Sequence, residues 1–154
     1  AMEVVKERQA AGDTKLKAKL VAKAYHYDAA IYAEIAGLEN HAGNEGSVDT
    51  AMEAVKASME ADAKGSYKDQ NLKVLDFVRT LFYNTGITSF QAKEYAKGLE
   101  NFKASLGVTD LINGSSDQEI TDTSSIVMSA YCAQNAQNYD DAIKKYNKVP
   151  FGNF

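Results

Sequence analysis

Residues 82–106 read FYNTGITSFQAKEYAKGLENFKASL. In this stretch Gly86 and Gly98 stand twelve apart, Tyr95 precedes Gly98 by three, and Phe102 follows it by four. Residues three and four apart share one side of a helix. The pattern predicts two helices joined by a turn at Ala92-Lys93-Glu94. The glycines let the two backbones approach closely, and the aromatic residues fill the space around them. The same frame returns 44 residues later, with Ile126, Ala130, Tyr139, Ala142, Ile143 and Tyr146 standing where Phe82, Gly86, Tyr95, Gly98, Leu99 and Phe102 stood. A fainter copy lies upstream. Ala51, Met52, Val55, Ser58 and Met59 match Gly98, Leu99, Phe102, Ser105 and Leu106 at an offset of 47.

Working outward, Leu16, Leu20, Ala24, Tyr27, Ile31, Ile35 and Leu38 recur at threes and fours. They predict a helix over 14–40 with this stripe inward and Asp13 as its N-cap. Residues 2–12 read as a short polar helix or a frayed end. The run Asn40-His41-Ala42-Gly43-Asn44-Glu45-Gly46-Ser47 breaks the chain before a helix over 48–63. Further helices follow over 68–91, 95–112, 123–136 and 139–149, the sixth capped by Asp122 or Thr123 and the last stopped by Pro150. Ser125-Ile126-Val127-Met128 has strand-like composition but nothing nearby to pair with. The expected fold is all-α: about three helical hairpins over 14–63, 68–112 and 123–150, stacked as one domain spanning 1–154.

Composition agrees with this. The 154 residues are 45% hydrophobic and 25% charged, with one Pro and no Trp. That is ordinary globular usage, and a chain of this length buries roughly 70% of its unfolded surface. The net charge of −4 comes without a basic block, which argues against a nucleic-acid partner. Gly107–Asp122 carries four acidic residues and no Lys or Arg. It reads as a solvated connection, with a docking patch for a basic partner as the sharper alternative. No apolar run approaches the roughly 20 residues of a membrane span.

The frame resembles the tetratricopeptide repeat, a family of stacked 34-residue helix–turn–helix units. Phe82 stands at the family's large position, Gly86 at its small one, and Tyr95 opens the second helix. Gly98 is where Ala is usual, and Phe102 is the aromatic. Asn138-Tyr139-Asp140-Asp141-Ala142-Ile143-Lys144-Lys145-Tyr146 is similar to the family's second-helix opening, and Pro150 follows as its terminating Pro would. The copies depart from the family in their spacing of 44 and 47. The extra residues fit longer helices, or the loops 64–70 and 107–122. Ser89 and Ala133 also replace an aromatic usual late in the first helix. In style the chain resembles envelope-associated repeat proteins of Bacteroides-type bacteria. The resemblance implies a right-handed α-α superhelix and a periplasmic or cell-envelope location; without it the expected location is cytoplasmic.

Chemistry-bearing residues are sparse. His26 and His41 lack partners at metal-binding spacing and read as structural, so no metal or cofactor is expected. Cys132, alone in the chain, reads as a small hydrophobe inside its helix. There is no phosphate loop and no nucleophile elbow, so the chain reads as a non-enzyme. The aromatics Tyr95, Phe102, Tyr139 and Tyr146 are assigned to the core. If Phe82 and Gly86 point inward, Tyr83, Asn84, Ile87 and Phe90 project from the other side of the first helix. Val127, Tyr131, Gln134 and Asn135 do the same in the last hairpin. In the repeat family such first helices line the concave face, where peptides bind. Aromatics supply contact area and amides satisfy backbone groups. The function expected is a scaffold binding a protein or peptide there, without membrane insertion. The alternative is a structural or self-associating segment of a larger cell-envelope assembly.

Overall fold

The structure is a computed structural model that describes residues 2–13, 17–38, 46–117 and 119–149. Its described residues form seven helices and no strand: α1 Met2–Ala10, α2 Ala18–Gly37, α3 Ser47–Ala61, α4 Lys68–Gln91, α5 Tyr95–Ser115, α6 Thr123–Asn135 and α7 Tyr139–Tyr146. The all-α reading is thus correct. The chain divides into two compact units, Ala1–Val78 and Arg79–Phe154, with the boundary inside α4.

In unit 1, α2 packs along α3. The face it buries is not the expected one. Val21, Ala22, Ala29 and Ala33 are buried, whereas Leu20, Tyr27, Ile31 and Leu38 are each 51–57% exposed and only Ala24 and Ile35 of the expected stripe are half-buried. Leu16 lies outside the described residues. The reason is steric. A row of alanines admits the α3 backbone at close range, where Ala51, Ala54, Val55 and Ser58 meet it. The larger side chains would hold the helices apart. A polar bridge then ties three helices together. The Ser58 hydroxyl lies 3.0 Å from the Ala22 carbonyl, and Asn71 Nδ2 donates to Ser58 Oγ at 2.9 Å. His26 Nδ1 sits 3.0 Å from Asn71 Oδ1 and its ring stacks on Tyr67, so His26 is half-buried and engaged within the fold. His41 lies outside the described residues. Asp13 does not cap α2. It takes the Arg8 guanidinium at 2.6 Å, and α2 starts after Lys17 without a side-chain cap.

In unit 2, the second half of α4 and the helices α5, α6 and α7 form two hairpins. Their turns agree hydrogen bond by hydrogen bond. After α4, the amides of Ala92, Lys93 and Glu94 donate to the carbonyls of Thr88, Phe90 and Ser89; after α6, those of Ala136, Gln137 and Asn138 donate to Cys132, Gln134 and Ala133. Every one of these pairs is displaced by 44. The left-handed residue that closes a helix in this motif is Lys93 in one turn and Gln137 in the other, at φ 63° and 61°. The small positions do what the sequence implied. A Cβ on Gly86 would come within 2.8 Å of the Phe102 ring. One on Gly98 would meet Cys132 Sγ at 3.0 Å and the Gly86 carbonyl at 3.4 Å. Gly98 is therefore where α4, α5 and α6 converge.

The aromatic core assignment is correct only in part. Phe102 is fully buried, Tyr95 is half-buried, and Tyr139 is 59% exposed. Tyr95 leans edge-on against Phe90 at a centroid distance of 5.6 Å. The residue 44 past Phe90 is Gln134, so Tyr139 has no equivalent ring to lean on. The side chain of Tyr146, and Pro150, lie outside the described residues. The extra residues of the long repeat extend α5 to Ser115, three past the expected end, so 107–115 is helix and not connection. Asn113 then pins the short link, its side chain bonding both the amide and the carbonyl of Ile120 at 2.8 Å. The last helix is fastened by charge. Asp141 on α7 pairs with Lys145 Nζ at 2.5 Å and faces Lys103 Nζ of α5 at 3.7 Å. Chiefly through the Lys145 hydrogen bond, its carboxyl is held below the ordinary carboxylate range.

Candidate functional site

Arg79, Thr80 and Tyr83 lie on one side of α4 because positions i, i+1 and i+4 fall close together on a helix. Opposite them is the start of α6. Asp122 caps that helix, its Oδ1 accepting the Ser125 amide at 3.0 Å. The five residues Arg79, Thr80, Tyr83, Asp122 and Ser124 line an open cleft of about 220 Å³.

The floor of this cleft is a buried polar cluster. Asp122 is 8% exposed. Its Oδ2 accepts Ser125 Oγ at 2.8 Å, Ser105 Oγ at 3.3 Å and Arg79 Nη1 at 3.4 Å, and the two serine hydroxyls lie 3.0 Å apart. Burial alone pushes this carboxyl upward and is the largest single influence on it. The Ser125 amide and hydroxyl, the Arg79 guanidinium and the Ser105 hydroxyl together outweigh burial and hold it below the ordinary value. Asp122 therefore stays ionised and fixes one edge of Arg79. It is an acceptor already surrounded by donors, and the two serine hydroxyls that donate to it are themselves fully buried. The arrangement holds the carboxylate, the two hydroxyls and the guanidinium in fixed positions.

Of the residues singled out from sequence, Tyr83 belongs to the cleft. It is half-buried, its ring edge-on to Phe102 at 5.6 Å. Phe90 is half-buried against Tyr95, and Ile87 and Val127 are also half-buried. Asn84, Tyr131, Gln134 and Asn135 are exposed, Tyr131 at 44%. Asn135 Nδ2 donates to the Tyr131 carbonyl at 2.8 Å, which stiffens the end of α6. Sequence reasoning missed Arg79, Thr80, Asp122 and Ser124 as site residues. Asp122 was legible only as a cap. Nothing in the sequence joins it to Arg79, which is 43 residues away.

Elsewhere the chemistry is quiet. Cys132 is fully buried, and burial pushes its thiol up to about 11. Among the described residues, no three His, Cys, Asp or Glu side chains gather to hold a metal ion, and no helix is long and apolar enough to cross a membrane. Two larger hollows in unit 1, of about 410 and 290 Å³, are lined mainly by Ala18, Ala61 and neighbouring small or exposed polar residues. They bring no set of reactive groups together. Compared with models of known protein families, with curated proteins and with solved structures, the chain matches none.

Proposed function

We propose that the chain is a non-catalytic scaffold of the tetratricopeptide type, a superhelix of helical hairpins that holds an extended protein or peptide segment. Its binding face in unit 2 runs from the Arg79–Tyr83 cleft to the exposed end of α6. The observation that carries this reading is the cleft itself. A phenol, a guanidinium oriented by a buried carboxylate and two hydroxyl residues surround about 220 Å³ of open space. These groups recognise the carbonyls and side chains of an extended chain. Tyr131, Gln134 and Asn135 add an aromatic and two amides suited to the same task. The 44-residue repetition of the hairpin turn supports the repeat architecture that such a face needs.

A peptide-array screen of the intact chain tests the reading. Binders are expected to lose about tenfold in affinity on Tyr131→Ala, a value typical of truncating one interface aromatic. Tyr131 is exposed, so this change leaves the helices folded, as circular dichroism would verify. If no peptide binds, or if every binder ignores both Tyr131→Ala and Thr80→Ala, the proposal is wrong.

A further inference from the structure

The face of α2 that is exposed among the described residues has a regular pattern. At about 100° per residue, Leu20, Tyr27, Ile31 and Leu38 fall within about 20° of one line along the helix. The buried Ala22, Ala29 and Ala33 lie on the opposite side. All four large residues are more than half exposed, and the line they form is about 27 Å long. Singly exposed apolar residues are ordinary; a continuous row is a mark of an interface.

Two features identify what covers it. The first is spacing. The intervals along the row are 7, 4 and 7 residues, which read the same from either end. A second α2 laid antiparallel therefore sets Leu20 against Leu38 of its mate and Tyr27 against Ile31 of its mate. The other two layers follow by symmetry. A surface that matches itself after end-for-end reversal is what a two-fold, isologous contact requires. The second feature is charge. Lys23 and Glu34 lie on the same flank of the row, and Lys23 Nζ reaches over the Tyr27 ring at 5.8 Å. In an antiparallel two-fold pair, matching flanks meet. Lys23 then comes to the height of Glu34 of its mate, within one residue, and the pair forms twice. In a parallel two-fold pair each flank meets the opposite one, and Lys23 and Glu34 would stand on separate sides of the seam at different heights.

We infer that α2 is a homodimerisation surface, pairing antiparallel with α2 of a second copy of this chain. The contact uses only unit 1 and is independent of the peptide face in unit 2. Its size sets its strength. One helix face is smaller than the roughly 800 Å² per partner of a standard interface. Asp28, on the other flank close to the two-fold axis, also approaches its own mate. The dimer is therefore weak and concentration-dependent.

Sedimentation of the intact chain over about 10–500 µM is expected to show a monomer moving toward twice its mass and no further. Ile31→Glu should leave a folded monomer throughout. Lys23→Glu should weaken association by about tenfold, the scale of two surface ion pairs, and Lys23→Glu with Glu34→Lys should restore it. Orientation is read by oxidative cross-linking. Leu20→Cys and Leu38→Cys chains should each fail to cross-link with themselves and succeed when mixed; buried Cys132 does not compete. A monomer at every concentration, an open-ended polymer, association indifferent to Ile31→Glu, or self-linking of Leu20→Cys would each overturn the inference.

Discussion

Replacing Gly86 by Ala sets two effects of known size against each other. In a helix interior the exchange removes glycine's excess backbone freedom and gains about 0.5–1 kcal/mol. Here the new methyl meets three atoms of the Phe102 ring at 2.8, 2.9 and 3.0 Å. Carbon atoms prefer about 3.5–4.0 Å, so the ring must retreat by more than half an ångström. It has little room to do so, because Phe102 is fully buried and Tyr83 stands edge-on to it. Overpacking of this kind typically costs about 1–3 kcal/mol. The net expectation is a loss of about 1 kcal/mol, within a span of about 0–2.5 kcal/mol. Gly107 on α5 is the internal control, since a methyl there meets nothing within 4 Å, and Gly107→Ala should gain about 0.5–1 kcal/mol. Thermal unfolding followed by far-ultraviolet circular dichroism reads both, at about 2–4 °C per kcal/mol for a chain of this size. Gly86→Ala should lower Tm while Gly107→Ala raises it. Adding Phe102→Leu to Gly86→Ala should cost less than the sum of the single changes, because the shortened side chain makes room for the methyl. If Gly86→Ala stabilises as much as Gly107→Ala, the close approach of α4 to the Phe102 ring is not as described.

Two further outcomes follow from the buried groups of unit 2. Asp122→Ala removes the α6 cap and leaves Ser105, Ser125 and Arg79 around an empty acceptor, and should cost about 2–3 kcal/mol in urea unfolding. Asp122→Asn keeps the cap but not the charge. Because the folded carboxyl titrates below its unfolded value of about 3.9, its stabilisation is complete above that pH and is lost as pH falls through the folded value. The stability of Asp122→Asn should therefore fall less steeply than that of the parent below about pH 4. Cys132, buried and raised to about 11, should react with a thiol-specific reagent at neutral pH at least a hundredfold more slowly than in urea-unfolded protein. Equal rates would mean that α6 opens readily.

The hairpin of unit 2 was legible because its contacts are written in residue size at fixed spacing. Gly86, Gly98 and Phe102 occupy the positions their sequence intervals implied, and the boundaries of α4, α6 and α7 fall close to those expected. The inner face of α2 was not legible, since ranking residues by hydrophobicity selects Leu20, Tyr27, Ile31 and Leu38. Which face a helix buries also depends on how near its neighbour can come. Three alanines opposite the Ala and Ser residues of α3 outweighed four larger side chains. Tyr139 was misplaced for a related reason, because its burial depends on a partner ring that Gln134 does not supply. The Arg79–Asp122 pair was beyond reach, for it exists only once α5 has brought the two ends of a 43-residue interval together.

The two hairpins of unit 2 also indicate where function has room to differ. Backbone hydrogen bonds at their turns coincide at every displaced pair, and the close-contact positions stay small in both: Gly86 and Ala130, Ser89 and Ala133, Gly98 and Ala142, all buried. A larger residue at any of them would separate the helices, so packing holds them to a narrow range of volume. The positions between them change freely. Tyr83 becomes Val127, Ile87 becomes Tyr131, and Phe90 becomes Gln134. Aromatic and aliphatic residues trade places along a constant backbone. On the proposed function, a partner held on this face would meet a phenol near the Arg79 cleft on one hairpin and another beside two amides on the next. Such a surface is ordered along its length, so a segment bound in one direction would present the wrong groups in the other. Reversing the sequence of any peptide recovered by the array should abolish its binding, whereas a face recognised only for its apolar area would tolerate the reversal.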